Sequence, residues 1–254
     1  MLVVEDNDVN RQVALAMLHR LHCDVTMVEG GQEGAEQAIR GGFDLVLMDC
    51  QMPIVDGFEA TRRIREQQHP SQRTPIVALT ANALQGDRER CMAAGMDDYL
   101  TKPFSRDRLQ EMIERWVPVT GLTHEPVDSD VVATSDVGAI DDQVLADVRA
   151  MDTDGTLLSA IIALYQQDGA KLVVAIRDAR ERGDAAVLAF AAHTLKSSSG
   201  CVGAKDVMQL CAQFEARARA NNAVCSAADV IALESAFYAA CTALTWYLQP
   251  SVVV

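Results

Sequence analysis

The chain has 254 residues, of which 49% are hydrophobic and 23% charged, as is typical of a soluble globular protein with room for two domains. Its formal net charge of −14 argues against a nucleic-acid-binding surface, because such surfaces need clustered Lys and Arg. No apolar run approaches the roughly 20 residues that span a bilayer, and the first residues do not form a signal peptide. We therefore expect a cytoplasmic protein with no membrane segment in this chain.

The seven cysteines are scattered along the chain, and none belongs to a Cys-x-x-Cys pair. An odd and scattered set suits neither a disulfide framework nor a tetrahedral zinc site. We expect reduced thiols that pack as small apolar side chains.

The first half of the chain alternates short apolar runs with stretches of helical spacing. The apolar runs are residues 2–4, 25–28, 43–48, 76–80 and 98–101. Apolar residues recur at helical spacing between them, as at Val9, Val13 and Met17, and Ser105 is placed to cap the last helix. Five strands alternating with helices predict an α/β domain with a doubly wound, five-stranded parallel sheet.

Residues 118–138 interrupt this pattern with two prolines, two glycines, several Ser and Thr, and no Lys or Arg. This composition predicts a flexible linker. The remaining sequence is rich in alanine and shows helical segments at 141–151, 155–167, 169–183, 184–200, 204–219 and 227–248, with Gly183 as a stop and Asp184 as a cap. The predicted domains are residues 1–117, the linker 118–138, and an all-α four-helix bundle at 139–250.

Polar side chains follow four of the five predicted strands. Glu5 and Asp6 follow the first strand, Asp49 ends the third, Thr80 ends the fourth and Lys102 follows the fifth. Parallel strands place these positions on one edge of the sheet, where three carboxylates repel each other unless a cation lies between them. Carboxylate oxygens suit a hard divalent ion, and a hydroxyl and an ammonium suit phosphoryl oxygens. Each residue alone could instead cap a helix or close a turn.

The second domain contains a histidine in the segment AHTLKSSSG, residues 192–200. Helical spacing places His193, Lys196 and Gly200 on one face, and we expect this face to be exposed. The opposite stripe suits the interior of the bundle and comprises Leu188, Ala192, Leu195, Ser199 and Val202. An exposed imidazole can attack phosphoryl groups, although a single helical histidine is more often only solvated.

Four segments of the first domain resemble the signature segments of response-regulator receiver domains. They are LVVEDNDVN, DLVLMDCQMPIVDGFEAT, PIVALTANA and CMAAGMDDYLTKPF, and they follow the family's order over residues 1 to about 117. The resemblance implies a flavodoxin-like fold in which Asp49 accepts a phosphoryl group. It also implies a Mg²⁺ cofactor held by Glu5, by Asp6 more directly, by Asp49 and by the backbone carbonyl of Gln51.

The same resemblance implies roles for three further residues. Thr80 would bond to the phosphoryl group, and Lys102 would pair with it. Tyr99 matches the aromatic switch position, which turns inward when Thr80 moves. A tyrosine that simply packs on the last strand is the alternative interpretation of Tyr99.

The segment HTLKSSSGCVGA resembles the signature of histidine-phosphotransfer domains, and this resemblance extends over about residues 139–250. It implies that His193 carries a phosphoryl group and that Lys196 offsets the phosphate charge. Gly200 would allow a partner's backbone to approach closely.

A receiver followed by a phosphotransfer bundle is the arrangement at the C-terminal end of hybrid sensor histidine kinases. The resemblance therefore implies a two-component phosphorelay. Asp49 would accept a phosphoryl group from an upstream kinase phosphohistidine, and His193 would pass it to a downstream response regulator or return it. The sequence contains no Gly-x-x-x-x-Gly-Lys-Ser/Thr loop, and we expect a fragment of a hybrid kinase that does not phosphorylate itself from ATP.

Two other classes of function stay open at this point. A phosphatase with an aspartate nucleophile also has an Asp at a strand end, but that family expects Asp-x-Asp, and here the second position is Gln51. A receiver-controlled DNA-binding regulator would need a basic recognition helix, and the second half of the chain is acidic and rich in alanine.

Overall fold

The computed structural model describes residues 1–69, 73–81, 85–117, 139–152, 155–219 and 225–248. The first domain alternates strands and helices as β1 (Leu2–Val4), α1 (Asp8–Arg20), β2 (Thr26–Val28), α2 (Gly31–Arg40), β3 (Val46–Asp49), α3 (Gly57–Gln67), β4 (Ile76–Thr80), α4 (Gln85–Ala94), β5 (Asp98–Thr101) and α5 (Arg106–Trp116). The five strands form one parallel sheet in the order β2-β1-β3-β4-β5. The predicted doubly wound sheet is confirmed.

The central strands are continuous apolar runs because helices cover both faces of the sheet. Alternate residues point to opposite faces, so Val4 and Met48 pack with the apolar side of α2 and α3. Val3 and Leu47 pack with the apolar side of α1 and α5 on the other face. The predicted cap of α5 is also confirmed, since the Ser105 side chain accepts a hydrogen bond from the backbone N–H of Arg108.

The second domain consists of helices in the described residues. They are α6 (Asp142–Met151), α7 (Leu157–Arg182), α8 (Ala185–Cys201), α9 (Lys205–Arg219) and α10 (Ala227–Tyr247). Gly183 ends α7 with a φ of 69°, and the Asp184 side chain caps α8 by accepting from the N–H of Val187. The predicted stop and cap are therefore both present.

One boundary predicted from the sequence is wrong. The segments 155–167 and 169–183 are parts of a single 26-residue helix, α7, which continues through Gly169. A Cβ atom on Gly169 would lie 2.4 Å from Cε2 of Phe237 on α10, so this glycine makes room for an aromatic ring. Its presence reflects close helix packing and does not mark a break in the helix.

Helix α1 joins the two domains. It packs against α6, α7 and α8, and the apolar cluster around Val13 and Met17 continues into the bundle through Val148 and Met151. The predicted linker, residues 118–138, lies outside the described residues. The domain boundaries at 117 and 139 stay predictions.

Among the described helices, α10 is long and apolar enough to cross a membrane by length and composition alone, which is weak evidence for a membrane span. Leu233, Phe237 and Leu244 of α10 are buried in the bundle, whereas Ile231, Tyr238 and Trp246 are exposed.

Candidate functional site

Three charged side chains meet at the C-terminal edge of the sheet. Lys102 Nζ lies 2.5 Å from Glu5 Oε2 and 2.8 Å from Asp49 Oδ2. All three residues are buried, with Asp49 only 4% exposed. The ammonium therefore offsets two carboxylates in a region of low polarity, where unpaired charges would be strongly unfavourable.

Asp6 adds a third carboxylate to this edge. Ligand oxygens of Glu5, Asp6 and Asp49 all lie within 4.8 Å of one another. Burial, followed by repulsion from Glu5, raises the pKa of Asp6 to about 6. Negative charge thus remains only partly offset at Asp6, and the donor set of carboxylate oxygens fits a hard divalent cation.

The pKa of Asp49 is raised as well. Burial raises its pKa to about 8, with Glu5 adding to the shift and Lys102 opposing it. The backbone N–H of Gln51 donates to Asp49 Oδ1 at 3.1 Å, which orients the carboxylate. A Cβ atom on Gly57 would lie 2.0 Å from the backbone oxygen of Asp49, so the loop after β3 can approach α3 only at a glycine.

Two further residues predicted for this site lie on β4 and β5. Thr80 is buried at the end of β4, and its carbonyl oxygen accepts from the N–H of Lys102 at 2.7 Å. Tyr99 is half-buried on β5 and packs against the apolar cluster on the α2–α4 side of the sheet. The sheet therefore brings six of the predicted residues to its C-terminal edge, which are Glu5, Asp6, Asp49, Gln51, Thr80 and Lys102, whereas Tyr99 lies within β5 in register with Ala78. Their individual roles stay predictions.

The expected exposure of His193 is wrong, because its side chain is 5% exposed. Two neighbours cover the predicted outer face of α8. Glu215 of α9 approaches from one side, with Oε1 2.9 Å from His193 Nδ1. Helix α1 and the loop after β5 approach from the other side and cover Ser197, Gly200 and Cys201.

Glu215 links the charged residues of the second domain. It pairs with the ammonium of Lys196, which is also buried, and with Nη2 of Arg219 at 2.5 Å. Burial alone would raise the pKa of Glu215, but the hydrogen bonds from His193 and Lys196 outweigh it and lower this pKa to about 2. The carboxylate is therefore ionised throughout the neutral range.

The electrostatic environment keeps His193 neutral. Burial lowers the pKa of His193, Glu215 opposes the shift, and the positive charges of Lys196 and Lys102 add to it. An ionised Glu215 accepts a hydrogen bond from Nδ1–H, which selects the tautomer whose Nε2 carries a lone pair. This arrangement makes Nε2 the nucleophilic atom.

Asn10 of α1 connects the two sites. Its Nδ2 donates to Glu5 Oε1 at 2.8 Å and to Ser197 Oγ at 3.0 Å, and its Oδ1 accepts from Cys201 Sγ at 3.3 Å. Hydrogen bonds therefore run from Asp49 through Lys102, Glu5 and Asn10 to α8.

Gly200 permits the domains to approach closely. A Cβ atom at this position would lie 3.2 Å from Cγ of Pro103, in the loop that follows Lys102. Gly200 was expected to admit the backbone of a partner. In this structure it admits a side chain of the first domain of the same chain.

Glu215 and Asn10 belong to the site, although no motif in the sequence indicated them. Glu215 was detectable in principle, because it lies on the same face of its helix as Cys211 and beside Phe214, where an unpaired carboxylate would be unfavourable. Asn10 carried no comparable signal. Its position follows only from how α1 packs against the bundle.

Family comparison accounts for both sites. The model for the response regulator receiver domain matches residues 1–114, and the model for the Hpt domain, the histidine-phosphotransfer domain, matches residues 160–243. The chain is a receiver domain followed by an Hpt domain. The phosphatase and DNA-binding interpretations are thereby set aside, and the chain belongs to two-component phosphorelay signal transduction.

Two curated relatives match most of the chain. BarA, a signal transduction histidine-protein kinase of Shigella flexneri, is 30% identical over 87% of the chain. The sensor protein GacS of Pseudomonas syringae is also 30% identical over 87% of the chain. The chain spans 24% of the length of each of these two proteins.

Two solved structures resemble the receiver part. A receiver domain of a Pseudomonas aeruginosa sensor histidine kinase, described with a magnesium ion in its active-site cleft, is 52% identical. It matches 46% of this chain and 96% of its own, with a TM-score of 0.43. The Saccharomyces cerevisiae complex of Ypd1 with the Ssk1 receiver domain is 33% identical, with 45% of this chain and 86% of that chain covered and a TM-score of 0.42.

Proposed function

We propose that this chain relays phosphoryl groups between an upstream histidine kinase and a downstream response regulator through Asp49 and His193. The observation that supports the proposal is that the surroundings of both acceptors suit phosphoryl transfer. Asp49 lies beside a buried ammonium and two further carboxylates, and His193 is held as a neutral imidazole by Glu215. Both side chains lie near the contact between the receiver and the Hpt domain.

The proposed cofactor is Mg²⁺, held by Asp6, Asp49 and the carbonyl of Gln51, with Glu5 supporting the site. When bound, the ion offsets the charge of the phosphoryl oxygens. The fit rests on the three converging carboxylates and on the raised pKa of Asp6.

No general base is required in this scheme, because a divalent ion held beside Asp49 would favour its ionised form over the protonated form that burial favours. A carboxylate oxygen of Asp49 attacks the phosphorus of a kinase phosphohistidine, an O–P bond forms and the N–P bond breaks. The electron pair of the broken bond returns to the kinase imidazole. Lys102 and Thr80 are positioned to pair with phosphoryl oxygens, which become more negative as the transfer proceeds.

In the transfer to the Hpt domain, a histidine nitrogen is the nucleophile and an aspartate oxygen is the leaving group. His193 Nε2 attacks the aspartyl phosphate, an N–P bond forms, and the O–P bond breaks to regenerate the Asp49 carboxylate. Glu215 retains the proton on Nδ1 and offsets the positive charge that develops on the ring. Lys196 approaches the same carboxylate and adds a positive charge near the phosphoryl group. The same steps run in reverse when His193 donates.

The proposed partners are an upstream kinase core, which can belong to the same parent polypeptide, and a separate response regulator. We also infer a cytoplasmic location. All seven cysteines lie in the described ranges and are free, as is usual in a reducing compartment. Both inferences concern a protein of which this chain is one part.

The relay can be tested by loading the chain with labelled acetyl phosphate and Mg²⁺, removing the unreacted donor by desalting, and then adding a separate receiver domain. We expect Asp49→Asn to abolish labelling. His193→Gln should retain an alkali-labile acyl phosphate but pass no label to the separate receiver. His19→Gln, which changes an exposed histidine on α1, is the matched control. Label that reaches the separate receiver from the His193→Gln chain would contradict the proposal.

A further inference from the structure

The Hpt domain is docked on its own receiver through a specific set of contacts. Asn10 bonds to Ser197 and Cys201 next to the acidic site. At the far end of α1, Arg20 donates to the carbonyl of Ala150 at 2.6 Å and to that of Met151 at 3.4 Å, and so binds the end of α6. Polar contacts at both ends of α1 therefore fix one orientation of the two domains.

Docking encloses both phosphoryl acceptors. Asp49 and His193 are each 4% exposed, and the contacts of Asn10 with Glu5, Ser197 and Cys201 hold α8 against the acidic site. The two sites are close enough to interact electrostatically, since the charges of Glu5 and Lys102 act on the thiol of Cys201 on α8. No protein domain can reach either acceptor while this contact persists.

The contact also has the character of a separable interface. A cleft of about 430 Å³ remains between α1, α6, α8 and the loop after β5, so the domains are not packed as densely as one core. Its lining includes Ala14 and Met17 of α1 opposite Val148 of α6. Interfaces between domains of one chain are commonly of this kind and permit relative motion.

We propose that this face of the Hpt domain is a receiver-docking surface occupied by the chain's own receiver, and that the chain alternates between a closed and an open state. The inference rests on the proposed function. In the closed state the phosphoryl group passes between Asp49 and His193 of the same chain. In the open state each acceptor exchanges phosphoryl groups with a separate protein.

Mutual exclusion follows from the position of the reacting nitrogen. Glu215 binds Nδ1, so a phosphoryl donor or acceptor has to reach Nε2, and α1 of the internal receiver packs against α8, the helix that carries His193. A separate receiver must therefore displace the internal one. Because both domains belong to one chain, the internal receiver has an effective concentration on the order of millimolar. A separate receiver at micromolar concentration gains access only after the chain has opened.

A reversible crosslink tests this inference in the full chain. The variant Asn10→Cys places a second thiol next to Cys201, whose Sγ lies 3.3 Å from Asn10 Oδ1. Oxidation by oxygen with copper phenanthroline removes two protons and two electrons from the two thiols and forms a disulfide. Intact mass verifies the loss of two hydrogens, and a reductant restores the starting state.

The crosslinked chain should retain internal transfer and lose external transfer. After loading with labelled acetyl phosphate and removal of the unreacted donor, we expect phosphohistidine at His193 but at least a tenfold slower delivery to a separate receiver, restored by reductant. Comparison is made within the same variant, because Asn10 also contacts Glu5. Asn10→Cys combined with Cys201→Ser, treated identically, controls for oxidation of the other cysteines.

Three results would overturn the inference. They are unchanged delivery from the crosslinked chain, loss of internal transfer on crosslinking, and failure of the two thiols to join. Loss of delivery from the reduced chain would instead contradict the proposed relay itself, so the two failures are distinguishable.

A second variant opens the chain. Ala14→Arg introduces a long charged side chain at a position that is 3% exposed and faces the cleft. We expect slower internal transfer, at least severalfold faster loading of His193 from a separate phosphorylated receiver, and a larger radius of gyration in solution scattering. Gln12→Arg, on the exposed side of α1, is the matched control. Equal rates for both variants would contradict the closed state.

Discussion

His193 Nδ1 lies 2.9 Å from Oε1 of Glu215, so a carboxylate on α9 determines which nitrogen of the imidazole can react. Glu215 also bonds to Lys196 and Arg219, and its orientation is therefore fixed by three basic groups. This places Glu215 among the residues that position the acceptor, although it does not bind the phosphoryl group in the proposed scheme.

Replacing Glu215 by Gln should slow phosphoryl transfer to His193 by about 10- to 100-fold, as is usual when an orienting hydrogen-bond partner is altered. A neutral amide can bond to Nδ1 through either its oxygen or its nitrogen, so the tautomer is no longer fixed. Transfer rates and the ¹⁵N chemical shifts of the imidazole report the two effects. Glu181→Gln, on the exposed surface of α7, is the control. An unchanged tautomer together with an unchanged rate would contradict the positioning role.

The protonation of His193 should occur at lower pH than that of an ordinary histidine. Its pKa is lowered by burial and by the charges of Lys196 and Lys102, against the opposing effect of Glu215. An NMR titration of the ring protons should therefore give a midpoint below 6.5, the ordinary value. His19→Gln assists assignment without altering the site. A midpoint at or above 6.5 would contradict the described environment.

The contribution of His193 and Glu215 to stability should fall as the solution becomes acidic, opposite in sign to that of Asp6 and Asp49, whose pKa values are raised. The unfolded chain binds protons more readily than the folded chain at His193 below pH 6.5 and at Glu215 below pH 4.5, because both folded pKa values are lowered. The contribution of Glu215 is complete above 4.5 and is lost as the pH falls toward its folded pKa of about 2. Urea unfolding at a series of pH values measures this loss, and Glu215→Gln should weaken its dependence below pH 4.5.

Lys102→Met should destabilise the receiver by about 3–5 kcal/mol without divalent cations, because it leaves two buried carboxylates without their shared ammonium. Added Mg²⁺ should raise the melting temperature of this variant more than that of the parent chain. Lys171→Met removes an exposed pair with Asp168 and should cost less than about 1 kcal/mol. A similar loss in both variants, or no response to Mg²⁺, would contradict the arrangement at the sheet edge.

Gly169→Ala should destabilise the Hpt bundle by about 1–3 kcal/mol, even though alanine favours a helix. The added methyl group would overlap the Phe237 ring. Phe237→Leu in the same chain should recover part of this loss by making room, and Phe237→Leu alone provides the reference. Chemical denaturation measures each free energy of unfolding. A stabilising effect of Gly169→Ala would show that the two helices are not in close contact.

The receiver site was predictable from the sequence because strand ends fix its geometry. Once the runs that end at Asp49 and Thr80 are assigned to parallel strands, their side chains must lie at one edge. The charges at Glu5 and Lys102 then follow from the ends of β1 and β5. Local pattern and topology were sufficient here, since each residue lies immediately beside its strand.

The surroundings of His193 were not predictable in the same way. Helical spacing correctly separated the buried stripe, with Leu188 and Leu195, from the opposite face. It could not show that Glu215 and α1 cover that face, because these contacts join distant parts of the chain. The same limit applies to Gly169, where a residue that commonly interrupts helices accommodates a ring on another helix.

The hydrogen bonds from Asp49 through Lys102, Glu5 and Asn10 to Ser197 have a thermodynamic consequence. They couple the phosphorylation state of Asp49 to the association of the receiver with the Hpt domain. If phosphorylation of Asp49 changes the affinity of the receiver for its own Hpt domain, then association must change the phosphorylation equilibrium by the same factor. A partner that separates the domains would thereby alter the free energy of the aspartyl phosphate without touching Asp49.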